Sequence, residues 1–133
     1  MPESKDTTGC LPGSPSVSGM IRPRIYLGPD FMLGPGKIDL LKAVKDSGSI
    51  SAAARQLSMS YKRAWMLLNT LNQGAGQPVV EVSQGGRGGG GARLTAVGEA
   101  LVQGYESIEK ACTQAARSEL EALLALIKTD GKP

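Results

Sequence analysis

The amino-acid sequence predicts a mainly α-helical fold with a small β-hairpin, and three observations carry that expectation. Aromatic side chains make up only 4% of the 133-residue chain, so the core has to be assembled from Leu, Ile, Val, Ala and Met, which suits packed helices better than a sandwich of sheets. Apolar residues recur three and four positions apart in separate stretches, the repeat of a helix with one buried face. A single run of β-branched residues, Val79, Val80 and Val82, precedes the glycine-rich GGRGGGG of residues 85–91 and then Ala92, Arg93 and Leu94, the form of two short strands joined by a loop.

Taken in order, residues 1–20 hold too few large apolar groups to offset the entropy of ordering and read as a disordered tail. They lack the basic start and apolar run of a secretory signal. Residues 21–33 read as extended chain, with Ile25 and Leu27 on one face and Tyr26 on the other, broken at Gly28-Pro29. A helix is predicted over residues 35–46: Pro35 is preorganised at the first helical position, Ile38, Leu41 and Val44 share a side, and Gly48 can supply a left-handed stop. A shorter helix follows through residues 52–57, capped by Ser49 or Ser51, with three consecutive alanines that let a neighbour approach closely. Ser58, Met59 and Ser60 make the next break, and Ser60 caps a third helix that buries Ala64, Leu67, Leu68 and Leu71. Its first turn, Tyr61, Lys62 and Arg63, is left outside, and Trp65 stands at the margin, open to core support or to outward contact. Residues 73–78 separate this helix from the first strand of the hairpin.

From Thr95, a further cap, the pattern is helical again, and Val97, Leu101, Tyr105, Ile108, Cys112, Ala115, Leu120, Leu123 and Ile127 form an apolar stripe. Unbroken to residue 127, such a helix measures on the order of 50 Å at ~1.5 Å per residue, more than so small a body can cover. Its outer half is therefore expected to meet another copy of the chain; the alternative is a helix lying across its own domain and fraying after Ala116.

Composition excludes several functions. The chain has room for one modest core, and it has no histidine and only two cysteines, Cys10 and Cys112, far apart in sequence. Histidine-based catalysis, Cys/His zinc sites and a disulfide framework drop out, and the thiols point to a reducing, cytoplasmic setting. No apolar run approaches the roughly 20 residues that cross a bilayer, so no membrane partner is expected. No nucleophile has a recognisable base, so no enzyme, cofactor or metal is expected. The glycine loop lacks the Lys and Ser or Thr of a nucleotide-binding loop, since Gly91 leads to Ala92 and Arg93.

The net charge of +3 is unevenly spread: residues 55–93 carry five basic groups against one acidic, whereas residues 95–133 carry four against six. A short helix, a tight turn and a longer helix with cationic and hydroxyl groups at its N-terminus is the helix-turn-helix arrangement, in which an α-helix enters the major groove. Spacing alone leaves a plain helical hairpin as the competitor. The hairpin of residues 79–94, whose loop has one side chain, Arg87, has the form of a wing that brings backbone close to a partner.

The runs GSISAAARQLSMSYKRAW, VVEVSQGGRGGGGARLT and VGEAL closely resemble the N-terminal DNA-binding domain of the molybdate-responsive ModE regulators, a winged helix related to that of LysR-type regulators. The resemblance covers residues 23–109. It implies a winged helix-turn-helix followed by a long dimerisation helix, in a transcription factor that dimerises through its helices and places the Ser60 helix in the major groove. Regulators of this family carry small molybdate-binding barrels after this domain. Here the chain reaches Pro133 without room for one, so molybdate is not expected to bind this chain.

The resulting expectation is a tail over residues 1–20, a winged helix-turn-helix over 21–94, a dimerisation helix over 95–128 and a short tail to 133. Its partners are double-stranded DNA and a second copy. Ser49, Ser51 and Arg55 are assigned to the DNA backbone, Lys62 and Arg63 to base edges, Ser60 and Tyr61 to bases or phosphates, and Arg87 and Arg93 to the wing. Val97, Leu101, Tyr105, Ile108, Cys112, Ala115, Leu120 and Leu123 are assigned to the dimer interface. The alternative is an interaction module that pairs with and modulates a full-length regulator.

Overall fold

The first helix ends where the second begins to be built, and that junction organises the molecule. The structure, a computed structural model, describes residues 19–83 and 91–127. A two-stranded antiparallel ribbon, β1 (Ile25–Tyr26) and β2 (Met32–Leu33), precedes α1 (Pro35–Ser47), α2 (Ile50–Gln56) and α3 (Tyr61–Ala75). A second antiparallel pair follows, β3 (Val80–Ser83) and β4 (Gly91–Leu94), with Val80 opposite Leu94 and Glu81 opposite Arg93. The chain continues into α4 (Ala96–Ala115) and α5 (Arg117–Leu126). Residues 21–111 form one compact unit, and the described residues 19–20 and 112–127 belong to a second.

Gly48 closes α1 with φ 77°, its N–H donating to the Val44 carbonyl at 2.8 Å. That left-handed conformation is strained for any residue with a Cβ. The Gly48 carbonyl in turn accepts from the Ala92 N–H at 2.9 Å, so the stem of the β3–β4 hairpin is tied to the α1–α2 turn. Ala53 and Ala54 are buried, and their small side chains let α2 pack against both α1 and α3. The turn after α2 is a Schellman motif: the Met59 N–H reaches the Ala54 carbonyl at 2.9 Å, the Ser58 N–H reaches that of Arg55 at 3.1 Å, and Ser58 takes φ 56°.

The core is aliphatic, as the composition requires. Ile38, Leu41 and Val44 of α1, Leu68 and Leu71 of α3, and Val79 before β3 are sealed from solvent. Tyr105 of α4 joins them at 1% exposure, its hydroxyl donating to the Pro23 carbonyl at 2.6 Å. Hydrogen bonds stitch α3 and the start of α4 to the hairpin: Asn72 Oδ1 accepts from the Val79 N–H at 2.8 Å, and Thr95 bonds both the Pro78 and Val79 carbonyls. Gly98 lies directly on that junction, where a Cβ would overlap the Val79 carbonyl oxygen.

Ion pairs join α1 to α4. Arg22 bonds Asp39 at 2.8 Å and Glu109 at 2.7 Å, Lys42 meets Glu106 at 2.8 Å and Lys45 meets Glu99 at 2.8 Å. The hydrogen bonds to Asp39 and Glu109 raise the Arg22 pKa still further, and that to Glu99 raises the pKa of Lys45.

Five sequence expectations are corrected. The extended segment contains a second strand, Met32–Leu33, and Leu27, expected to share a face with the half-buried Ile25, is exposed beyond the end of β1. The third helix does not stop at Gln73 but runs to Ala75 and ends on Gly76 at φ 72°. Gly74, inside it, is covered by the Phe31 ring, which a Cβ there would strike. The last helix is not continuous: Ala116, at φ −101° and ψ 14°, separates α4 from α5. Tyr105, assigned to a dimer interface, belongs to the core of its own domain, and Val97 and Leu101 also pack partly against that core.

Candidate nucleic-acid interface

The cationic surface is built by two helix caps. Ser49, in extended conformation, accepts from the Ala52 N–H at 2.9 Å through its side chain and starts α2; Ser51 and Arg55 then lie exposed along that helix. Ser60 does the same for α3, its Oγ accepting from the Arg63 N–H at 3.0 Å. The cap fixes the first turn, so that Tyr61, Lys62 and Arg63 project into solvent while Ala64 points to the core. Both serine oxygens thus accept one backbone N–H, and what each hydroxyl still offers a partner is its proton and a second lone pair.

No Asp or Glu occurs between Asp46 and Glu81. Among the described residues, Arg55, Lys62 and Arg63 have no carboxylate within ion-pair distance, in contrast to Arg22, Lys42 and Lys45. The N-terminus of α3 adds the partial positive charge of its free amides. A site with three exposed cations, unbonded amide dipoles and no counter-charge suits a polyanion.

Tyr61 is exposed and meets Trp65 edge to face, with ring centroids 6.3 Å apart and planes at 75°. Trp65 is partly buried against the core, so it supports the ring of Tyr61 from beneath. Arg93 stands at the base of the hairpin, 80% exposed, and pairs with Glu81 across the strands at 3.1 Å. The cross-strand register, which places Glu81 opposite Arg93, sets this pair. A surface pair of this kind is worth about 0–1 kcal/mol, so Arg93 can exchange it for a phosphate at little cost. Arg87 and the wing tip, residues 84–90, lie outside the described residues.

The structure brings the hairpin stem to the start of α2 through the Gly48–Ala92 hydrogen bond. It places Ser60–Arg63 on the solvent side of α3. Of the residues assigned to an interface between copies, Ile108, Ala115 and Leu123 are exposed and Cys112 and Leu120 are half-buried. Among the described residues no helix is long and apolar enough to cross a membrane.

Residues 36–99 match the family of bacterial regulatory helix-turn-helix proteins of the lysR type. The chain is similar to the molybdenum-pterin-binding protein MopA of Rhodobacter capsulatus, 46% identical over 83 residues that make up 62% of this chain and 31% of that protein. It is also similar to the DNA-binding transcriptional dual regulator ModE of Escherichia coli, 47% identical over 72 residues, 54% of this chain and 28% of that protein. The match thus spans less than a third of these relatives' own length. Among solved structures, a complex of the CbnR DNA-binding domain with DNA superposes with a TM-score of 0.52 at 27% identity, covering 65% of this chain and 95% of that one. Full-length LysG from Corynebacterium glutamicum with bound effector Arg gives 0.51 at 26% identity, covering 71% of this chain and 30% of that one. The fold is therefore the winged helix of the lysR-type DNA-binding domains.

Proposed function

Because residues 36–99 match the family of bacterial regulatory helix-turn-helix proteins of the lysR type, we propose that the chain is a sequence-specific, double-stranded DNA-binding transcriptional regulator acting in the cytoplasm as a homodimer. The observation that carries the reading is the first turn of α3, where Lys62 and Arg63 are exposed and have no carboxylate partner among the described residues behind the Ser60 cap. In this reading α3 enters the major groove. Arg63 and Lys62 address base edges, the arginine having the bidentate geometry for guanine. Tyr61 and the Ser60 hydroxyl bond base or phosphate. Ser49, Ser51 and Arg55 hold the backbone from α2, and Arg93 with Arg87 acts from the wing.

The self-pairing surface in this proposal is made of the exposed Ala115 and Leu123 with the half-buried Cys112 and Leu120. A two-fold dimer sets its recognition helices about 34 Å apart and favours an approximately palindromic site. The molybdenum-pterin binding named for MopA is not carried over: the similarity reaches 31% of that protein, and the reading asks for no molybdate on residues 19–127.

Selection from a pool of randomised duplexes, followed by light scattering on the protein with and without a selected site, tests the reading. Enrichment of a site with two inverted half-sites, bound by two chains, supports it. Failure to enrich any sequence contradicts the DNA assignment, and enrichment of a single half-site bound by one chain contradicts the dimer.

A further inference from the structure

Met66 exposes a large apolar side chain on the helix that the proposed function places in the groove. α3 buries Ala64, Leu68 and Leu71. With a turn of roughly 100° per residue, the direction opposite that face falls on Lys62, Met66 and Asn69. Met66 is 55% exposed there, one turn beyond Lys62 and three residues beyond Arg63. The hydroxyl that could give this level of the helix a polar donor, Thr70 Oγ1, donates instead to the Met66 carbonyl at 2.9 Å. This part of α3 therefore presents a partner with the flexible thioether chain of Met66 beside the exposed Asn69 amide, and no free hydroxyl proton.

Phosphates and sugars give an apolar side chain little. The edges of base pairs in the major groove carry one apolar group, the 5-methyl of thymine. Resting on the DNA-binding reading above, we infer that Met66 is a specificity-determining residue that contacts a thymine methyl group. Four residues of helix advance about 6 Å against about 3.4 Å per base pair, so the thymine lies one or two pairs from the pair that Lys62 and Arg63 address. The length and unbranched form of methionine suit the contact, since the thioether can settle over a methyl group without a fixed rotamer.

The test uses the full chain and a duplex selected from the randomised pool, with each thymine replaced in turn by uracil, which removes the methyl group and leaves the pairing edge. The wild-type chain is expected to lose about fourfold in affinity at one thymine per half-site, the worth of one buried methyl group. Met66→Ala should bind the thymine and uracil duplexes alike, and Met66→Leu should keep the preference. Both variants alter an exposed position, and thermal melting compares their folding with the wild type. The inference is overturned if uracil is neutral at every thymine for the wild type, or if Met66→Ala keeps the full thymine preference. A chain that enriches no duplex at all sinks the underlying DNA reading instead.

Discussion

Helix α1 and the α2–α3 pair each carry three cations and use them in opposite ways. In α1, Lys37 donates to the Met32 carbonyl at 3.0 Å, Lys42 pairs with Glu106 and Lys45 with Glu99. In α2 and α3, Arg55, Lys62 and Arg63 have no such partner among the described residues, and the helices that carry them contain no acidic residue. The first set is spent holding α1 against α4 and against its own N-terminal ribbon. The second set is left for something outside the chain. A near-neutral protein can thus present a strongly basic surface, because the surplus is decided by pairing and not by composition.

Substitutions can break either half of this contrast separately. The largest effect is expected from Gly98→Ala in the scaffold, where the added Cβ meets backbone at the Val79 carbonyl. Urea unfolding should show a loss of ~1–3 kcal/mol, the usual cost of overpacking. Arg63→Ala, on the free surface, should leave stability within about 0.5 kcal/mol while costing ~1–3 kcal/mol on a selected duplex and relaxing preference at one base pair per half-site. Equal losses on selected and random DNA would place Arg63 on phosphate instead. Arg22→Met removes the shared partner of Asp39 and Glu109 and should lower stability by about 1 kcal/mol, discounted for the partial exposure of the group, without altering DNA affinity. The smallest effect belongs to Glu81→Gln, which releases Arg93 and should strengthen binding to selected and random duplexes alike by less than ~1 kcal/mol.

Local chemistry made much of this legible in the sequence. Ser49, Ser60 and Thr95 cap as their positions suggest, and Gly48 stops α1 at positive φ, because caps depend on a few neighbouring residues. What was hidden depended on distant contacts. Gly74 reads as a helix breaker, yet it lies inside α3 because the Phe31 ring needs its missing Cβ. Tyr105 fits the apolar stripe by spacing, but the buried arc of α4 is Gly98, Val102 and Tyr105, with Val97 and Leu101 only flanking it. The apolar residues of that helix span a wider arc than one contact uses, so periodicity does not say which of them face the domain's own core. Two-residue strands such as Met32–Leu33 are too short to show alternation. The break at Ala116 falls where the alternative reading of the last helix has it fray, although neither Gly nor Pro marks it. In the candidate site, the exposure of Lys62 and Arg63 followed from the helix period, whereas the Glu81 partner of Arg93 required the strand register.

The contrast between spent and unspent cations is tested most directly by the salt dependence of binding to a selected duplex. Each phosphate contact contributes ~0.9 to the slope of log affinity against log salt, so a dimer that loses one contact per chain should lose about 1.8. Arg55→Met is expected to lower the slope by that amount, and Lys42→Met and Lys45→Met to leave it unchanged. A slope that is flat for the wild-type chain, or that falls equally for all three variants, would contradict the account.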